Sequence, residues 1–205
     1  MATDRQREFR FDGGATWLNL LGTRGRSFGP HPIERLTTPA RLADWLARCE
    51  LSPARPPTEA DLDRTLELRR TLSTLVLVVV DGVDPGAAGG TGGGAKGGAG
   101  GAGGELLAAV REWADGDPGP VRLTDGWPPR RVPPRDTTEA LARIARQALE
   151  QLTGPERHQL VSCAEHDCRW VFLDPTGRRR WCPSPSCASR GRVRALRARR
   201  AAGAE

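Results

Sequence analysis

The chain is predicted to be an α+β protein: a mainly helical N-terminal domain with a small β-sheet, followed by a small cysteine-rich module. Three observations predict this. Apolar residues recur at helical spacing through residues 39–49, 59–83 and 137–152. Four cysteines stand as Cys163-x4-Cys168 and, thirteen residues later, Cys182-x4-Cys187. Nine arginines and no carboxylate lie between Pro175 and Ala204.

The elements run in order along the chain. Phe9, Phe11, the turn Asp12-Gly13-Gly14 and then Trp17, Leu18, Leu20 and Leu21 read as a short hairpin or as a strand entering a helix. Pro30–Pro32 is a loop. Thr38-Pro39 opens a helix with Thr38 as N-cap, and Leu42, Trp45, Leu46 and Cys49 form its apolar face, placing Cys49 in the core. Thr58 with Asp61 forms a capping box for the next helix. Leu75–Val80 is rich in β-branched residues and would suit a strand, but it continues the leucine face from Leu62, so helix is expected through Val83. Twelve of the nineteen residues from 86 to 104 are glycine, which predicts a disordered loop. A helix over Glu105–Ala114 comes next. Val121, Leu123 and Arg131-Val132 suit strands, and Trp127-Pro128-Pro129 suits a packed turn. Asp136 or Thr137 caps a stronger helix, which Gly154-Pro155 stops. The expected domains are therefore 1–155 and 156–205.

Charge is unevenly distributed. The net charge is +6, yet residues 157–205 alone hold eleven arginines against four acids, and the rest is close to neutral. A basic stripe confined to one module is the footprint of a polyanion partner, DNA first of all. Residues 1–10 are charged and lack an apolar run, so no export signal is expected. The longest apolar run, Leu75–Val80, is too short to span a membrane. A cytoplasmic, reducing setting favours metal-bound thiolates over disulfides.

Two cysteine pairs at this spacing suit a closed, tetrahedral zinc site with Cys163, Cys168, Cys182 and Cys187 as ligands. His166 lies between two of them, but four thiolates leave it no vacant position. Trp170–Leu173 and Arg178–Trp181 flank Asp174–Gly177 and predict a β-hairpin. A helix opens near Ser184 or Ser186, and its N-terminus should lower the pKa of Cys182 and Cys187. Knuckle, hairpin and helix in that order predict a treble-clef zinc finger. At helical spacing Arg190, Arg194 and Arg197 share an outward face, with Val193 and Leu196 packed under Trp170, Phe172 or Trp181. Arg178, Arg179 and Arg180 extend the basic patch, and Arg192 and Arg200 complete the candidate nucleic-acid contacts.

Cys163-x4-Cys168-Arg169-Trp170-Val171-Phe172-Leu173-Asp174, with Arg179-Arg180-Trp181-Cys182 and Cys187-x-x-Arg190, is similar to the CGNR zinc finger. The signature tetrad reads Cys187-Ala188-Ser189-Arg190 here, keeping the ligand and the arginine. Phe9–Gly14, Leu18–Thr23, Glu34-Arg35-Leu36, Pro39, Leu42, Trp45 and Leu46 resemble the ABATE domain that precedes that finger. The family stretch Leu-Asp-Phe-Val-Asn-Thr is Leu18-Asn19-Leu20-Leu21-Gly22-Thr23 here, so a family effector site using that Asp and Asn would be altered. The resemblance implies a bacterial, stress-linked transcription regulator with zinc as cofactor and DNA as partner.

His31 and His158 have no nucleophile or carboxylate partner in sequence, so no enzyme is expected. One finger reads few base pairs, which homodimerisation through the N-terminal domain would remedy. Rival readings are an adaptor whose finger binds an acidic protein, an RNA-binding protein, and an N-terminal enzyme delivered to nucleic acid by the finger. A small-molecule effector for the N-terminal domain is compatible with the sequence.

Overall fold

The computed structural model describes residues 7–82, 101–119, 122–125 and 127–202. In chain order the elements are α1 (Thr16–Leu21), β1 (Arg24–Gly25), β2 (Ile33–Glu34), α2 (Pro39–Arg48), α3 (Glu59–Asp81), α4 (Ala102–Ala114), α5 (Thr137–Thr153), β3 (Leu160–Ser162), β4 (Val171–Leu173) and α6 (Pro185–Ala202). They divide between two compact units, one of residues 1–35 and 158–205, the other of residues 36–157.

The unit of residues 36–157 is helical, and local sequence signals start its helices. Thr38 Oγ1 accepts from the Arg41 amide at the start of α2, whose Pro39 needs no amide partner. Thr58 and Asp61 bond reciprocally at the start of α3. The stripe Leu62, Leu68, Leu72, Leu75 and Val76 is buried, so α3 runs through the β-branched stretch to a left-handed Gly82. Packing of one helical face outweighs local strand preference there. Against α3 lie α4 and α5, which also pack on each other. Helix α4 begins at Ala102, three residues before the expected start, and Gly103 lets it approach Val78 closely. Residues 86–100 of the expected glycine-rich loop lie outside the described residues. Asp136 is the N-cap of α5, and Thr137 its first helical residue.

Two expectations in this unit give way. Leu123 and Arg131 form one isolated bridge, with Val121 outside the described residues. Trp127 is 91% exposed, so its turn is not packed. Cys49 sits at the C-terminal end of α2, half-buried, and burial pushes its thiol up to about 12, which removes it as a nucleophile.

The other unit brings the chain's two ends together. Helix α1 buries Trp17, Leu18, Asn19, Leu20 and Leu21. Strands β1 and β2 pair antiparallel, Arg24 opposite Glu34. Strands β3 and β4 pair antiparallel, Leu160 opposite Leu173 and Ser162 opposite Val171. The hairpin expected across Asp174–Gly177 is not formed. The Leu173 amide, on the free edge of β4, donates to the carbonyl of Gly13 instead. Asp174 draws the next residues into a turn, accepting from the amides of Thr176 and Arg179 and from the Thr176 hydroxyl.

The indole of Trp170, just before β4, enters the N-terminal segment. Its Nε1 donates to the Leu18 carbonyl at 2.9 Å. A Cβ built on Gly13 or on Gly22 would lie 2.9 Å from Trp170 Cζ2, so both positions must lack a side chain. Asn19 Oδ1 accepts from the Gly13 amide and fixes that turn. The two positions of the 18–23 stretch where the family's Asp and Asn are replaced therefore have structural work in this chain: Asn19 holds the turn and Gly22 admits the ring.

Each unit offers one packing test. Gly22→Ala is expected to cost about 1–3 kcal/mol by overpacking against Trp170, read as a lowered thermal midpoint. In the helical unit, Glu139 is buried between Arg135 and Arg143. Burial pushes its carboxyl up, but the Arg135 amide and both guanidinium groups outweigh this and hold it at about 2. The folded state thus binds this proton less tightly than the unfolded chain. Its contribution to stability is present above about pH 4.5 and lost as pH falls towards 2. Urea titrations should find Glu139→Gln destabilised at neutral pH, with the gap to wild type closing over that acid range.

Candidate metal centre and the arginine helix

Strand β3 ends at Ser162, and Cys163 comes next with its amide bonded to the Trp170 carbonyl. The chain then reverses: the amides of Cys168 and Arg169 both donate to the Glu165 carbonyl, and Arg169 takes a left-handed φ of 46°. This knuckle turns two thiols the same way. Cys182 arrives from the Asp174 turn, its amide donating to Cys163 Sγ at 3.4 Å. Cys187 lies in the first turn of α6, whose first residue is Pro185. All four cysteines are buried and unpaired. Their sulfurs all lie within 4.8 Å of one another, with Cys168 and Cys182 at 4.0 Å.

That spacing fits one metal ion and excludes a disulfide. Four sulfurs at about 2.3 Å from zinc stand roughly 3.8 Å apart, whereas a disulfide needs about 2.05 Å. The thiols also cannot all ionise unaided. Hydrogen bonding from Cys168 holds the Cys163 thiol at about 7, and contact with Cys163 pulls Cys182 down. Contact with Cys163 pushes Cys168 and Cys187 up. At Cys187 this outweighs the lowering expected from the helix N-terminus. A divalent cation resolves the conflict by favouring all four thiolates.

Two guanidinium groups reach the sulfurs from outside. Arg10 Nη1 approaches Cys182 Sγ at 3.6 Å, and Arg190 Nη2 approaches Cys187 Sγ at the same distance. They offset part of the negative charge that a zinc tetrathiolate carries. Arg10 also stacks 4.3 Å over the ring of Trp170 and pairs with Asp12. His166 is 79% exposed beside Asp167, away from the sulfur cluster, as four thiolate ligands require.

A family model for ABATE, described as "putative stress-induced transcription regulator", matches residues 14–155. The chain belongs to the ABATE family. A second model, the CGNR zinc finger, matches residues 159–200. No curated protein matches the chain. With the finger model over the quartet and four buried sulfurs in reach of one ion, the ABATE chain binds zinc, and the quartet is where the donors for it stand.

Helix α6 is fixed to this centre by its first two turns. Trp181 lies over Gly191, where a Cβ would fall 2.5 Å from the indole Nε1. The glycine that weakens a helix thereby admits the ring. Glu165, fully buried inside the knuckle, accepts from Arg190 Nε at 3.4 Å and lies 3.1 Å from Arg194 Nη2. Of the expected outward stripe, Arg190 and Arg194 are thus bound to the knuckle, and Arg197 remains exposed. Arg192 and Arg200 are exposed on α6, as are Arg178, Arg179 and Arg180 before it. Val193 and Leu196 are 46% and 42% exposed, not packed beneath the hairpin residues. Trp170, one of the residues they were expected to cover, is engaged by the N-terminal segment instead, and Phe172 is fully buried. Glu165 and Arg10 escaped sequence reasoning. The available signal for Glu165 was an acid enclosed between two ligands.

Removing one ligand should abolish the centre. Cys182→Ser is expected to fall from one zinc per chain to well below one by elemental analysis, and to lose the signals of α6 residues 187–191 from the folded region of an amide NMR spectrum.

Proposed function

We propose that the protein is a zinc-dependent, DNA-binding transcription regulator of the ABATE family, and a binding protein with no catalytic step of its own. The observation that supports this best is α6 beyond Gly191. From Arg192 to Arg200 every residue is exposed, five of them are arginines, and no acid interrupts them. Helix α6 has 18 residues and is about 27 Å long, and its part beyond Gly191 is the free, basic one. Its width suits the major groove, where arginine forks onto guanine edges and phosphates. In this reading the metal centre has no open position and acts structurally, in a treble-clef arrangement. It sets the first turn of α6, while Trp181 and Glu165 set the direction of the helix beyond that turn. Arg197 and Arg200 face base edges or phosphates. Arg178, Arg179 and Arg180 add phosphate contacts.

A second reading is favoured by Val193 and Leu196. An exposed apolar pair three residues apart on one helix face is a surface for another helix. A homodimer joined there would present two arginine helices and double the length of DNA read.

Fluorescence anisotropy on duplex DNA tests the first reading. The logarithm of affinity should fall steeply with the logarithm of salt, by about 0.9 for each phosphate neutralised. Arg197→Ala should weaken binding and flatten that slope by about one contact. Affinity that does not change between low and moderate salt, or that survives loss of zinc in Cys182→Ser, contradicts it.

A further inference from the structure

Beside the metal centre, within the unit formed by the chain's two ends, lies a cavity of about 460 Å³. That volume is within the usual range for small-ligand sites. Its wall carries five arginines (Arg10, Arg24, Arg26, Arg35 and Arg190) and one acid, Glu8. A zinc tetrathiolate is itself a dianion, so the excess must be weighed against it. Three of the five already have negative partners. Arg10 pairs with Asp12 and reaches Cys182, Arg190 reaches Glu165 and Cys187, and Arg26 lies 3.9 Å from Asp167. For Arg24 and Arg35, no carboxylate stands within ion-pair distance among the described residues.

Arg35 is the unusual one. It is only 8% exposed, yet its guanidinium makes one hydrogen bond, from Nη1 to the Gly22 carbonyl, and its Nε is buried without a partner. The group is seated in a built slot: a Cβ on Gly25 would fall 2.7 Å from Nη1. Burial, and the neighbouring charge of Arg10, both push its pKa down, and the charges of Glu34 and of the Cys168 thiolate offset only part of this. A buried cation with no ion-pair partner is costly, and an anion entering the cavity relieves it. The floor offers a second attraction. Ser184, Pro185 and Ser186, at the N-terminus of α6, line the same cavity; Pro185 has no amide hydrogen and the Cys187 amide donates to the Ser184 carbonyl, so what the helix offers there is the Ser186 amide and its positive dipole end. Phe9, Ile33 and Trp170 supply an apolar side.

We propose that this cavity is a binding site for an oxyanion of the phosphate class, held by Arg35 and Arg24 against the start of α6. The apolar side suits a small phosphate ester, and a DNA backbone phosphate offers the same chemistry from a second source. The fork of Arg35 takes two oxygens, Arg24 closes over the ligand from the exposed edge, and the Ser186 amide takes the remaining oxygen. Because the site shares Arg190 and Cys187 with the root of α6, an occupant would stiffen the helix assigned to DNA.

The test uses the zinc-loaded full chain in chloride buffer at constant ionic strength, titrated calorimetrically with inorganic phosphate and with adenosine 5′-monophosphate. Saturable binding with a raised thermal midpoint is expected, weakened at least tenfold in Arg24→Ala and in Arg35→Met, each still holding one zinc per chain. Arg24 is exposed, so that variant stays folded even if Arg35→Met does not. Arg197→Ala should leave the phosphate titration unchanged while weakening DNA binding, so failure of this site and failure of the DNA reading give different results. Displacement of bound phosphate by duplex DNA would assign the source to the backbone, and persistence alongside DNA would assign it to a small molecule. Absence of saturable binding to wild type, together with duplex affinity unmoved in Arg24→Ala, overturns the proposal, as does equal phosphate affinity in wild type and Arg24→Ala.

Discussion

The insertion of Trp170 between Gly13 and Gly22 is the contact on which the metal-binding unit rests. One indole crosses 152 residues of sequence to reach the Leu18 carbonyl. Burial of a large aromatic ring contributes a few kcal/mol, and its buried N–H must find an acceptor. Both conditions are met only if the N-terminal segment is in place. Gly13 then also closes the open edge of β4, and Arg10 is delivered to the sulfur of Cys182. The geometry of the thiolate cluster is thus set partly by residues far from any ligand.

Arginine is put to three physically distinct uses in this unit. Arg10 and Arg190 lie close to sulfur, where their charge offsets that of the zinc thiolates. Arg190 and Arg194 meet on the buried carboxylate of Glu165, which holds the root of α6 to the knuckle. Arg192, Arg197 and Arg200 stand in solvent. A count of positive charge does not separate these uses. Only in the first two groups does a guanidinium meet a buried partner, the cysteine sulfurs or Glu165, and there the pairing matters more to stability than in solvent.

Much was legible in the sequence where the signal was local. Thr38, the Thr58–Asp61 pair and Asp136 start their helices through bonds spanning three residues. The face from Leu62 correctly carried α3 through Leu75–Val80. The cysteine spacing correctly indicated one zinc site, since the quartet meets around a single point. Choices of partner over long separations were not legible. The strand beside β4 is β3, not Arg178–Trp181, because Gly13 holds one edge and Asp174 turns the chain away. Val193 and Leu196 looked like an inward seam because helical periodicity tells which residues share a face, not whether anything lies opposite. In the same way Arg190 and Arg194 shared a face with Arg197, but the sequence could not show that Glu165 waited beneath them.

The division of the chain has a kinetic consequence. Residues 36–157 are an insertion within a unit whose halves are the first 35 residues and the last 48. During synthesis the helical insert is complete while β3, β4 and all four cysteines are still to be made. Its short-range helix contacts favour early folding, whereas the two-part unit must close a loop of more than a hundred residues. Until then the Leu18 carbonyl lacks the indole of Trp170, and Gly13 and Gly22 have no ring between them. The N-terminal segment is therefore a waiting half-site during translation: Trp170 fills it, and Cys187, the last cysteine to emerge, completes the zinc shell.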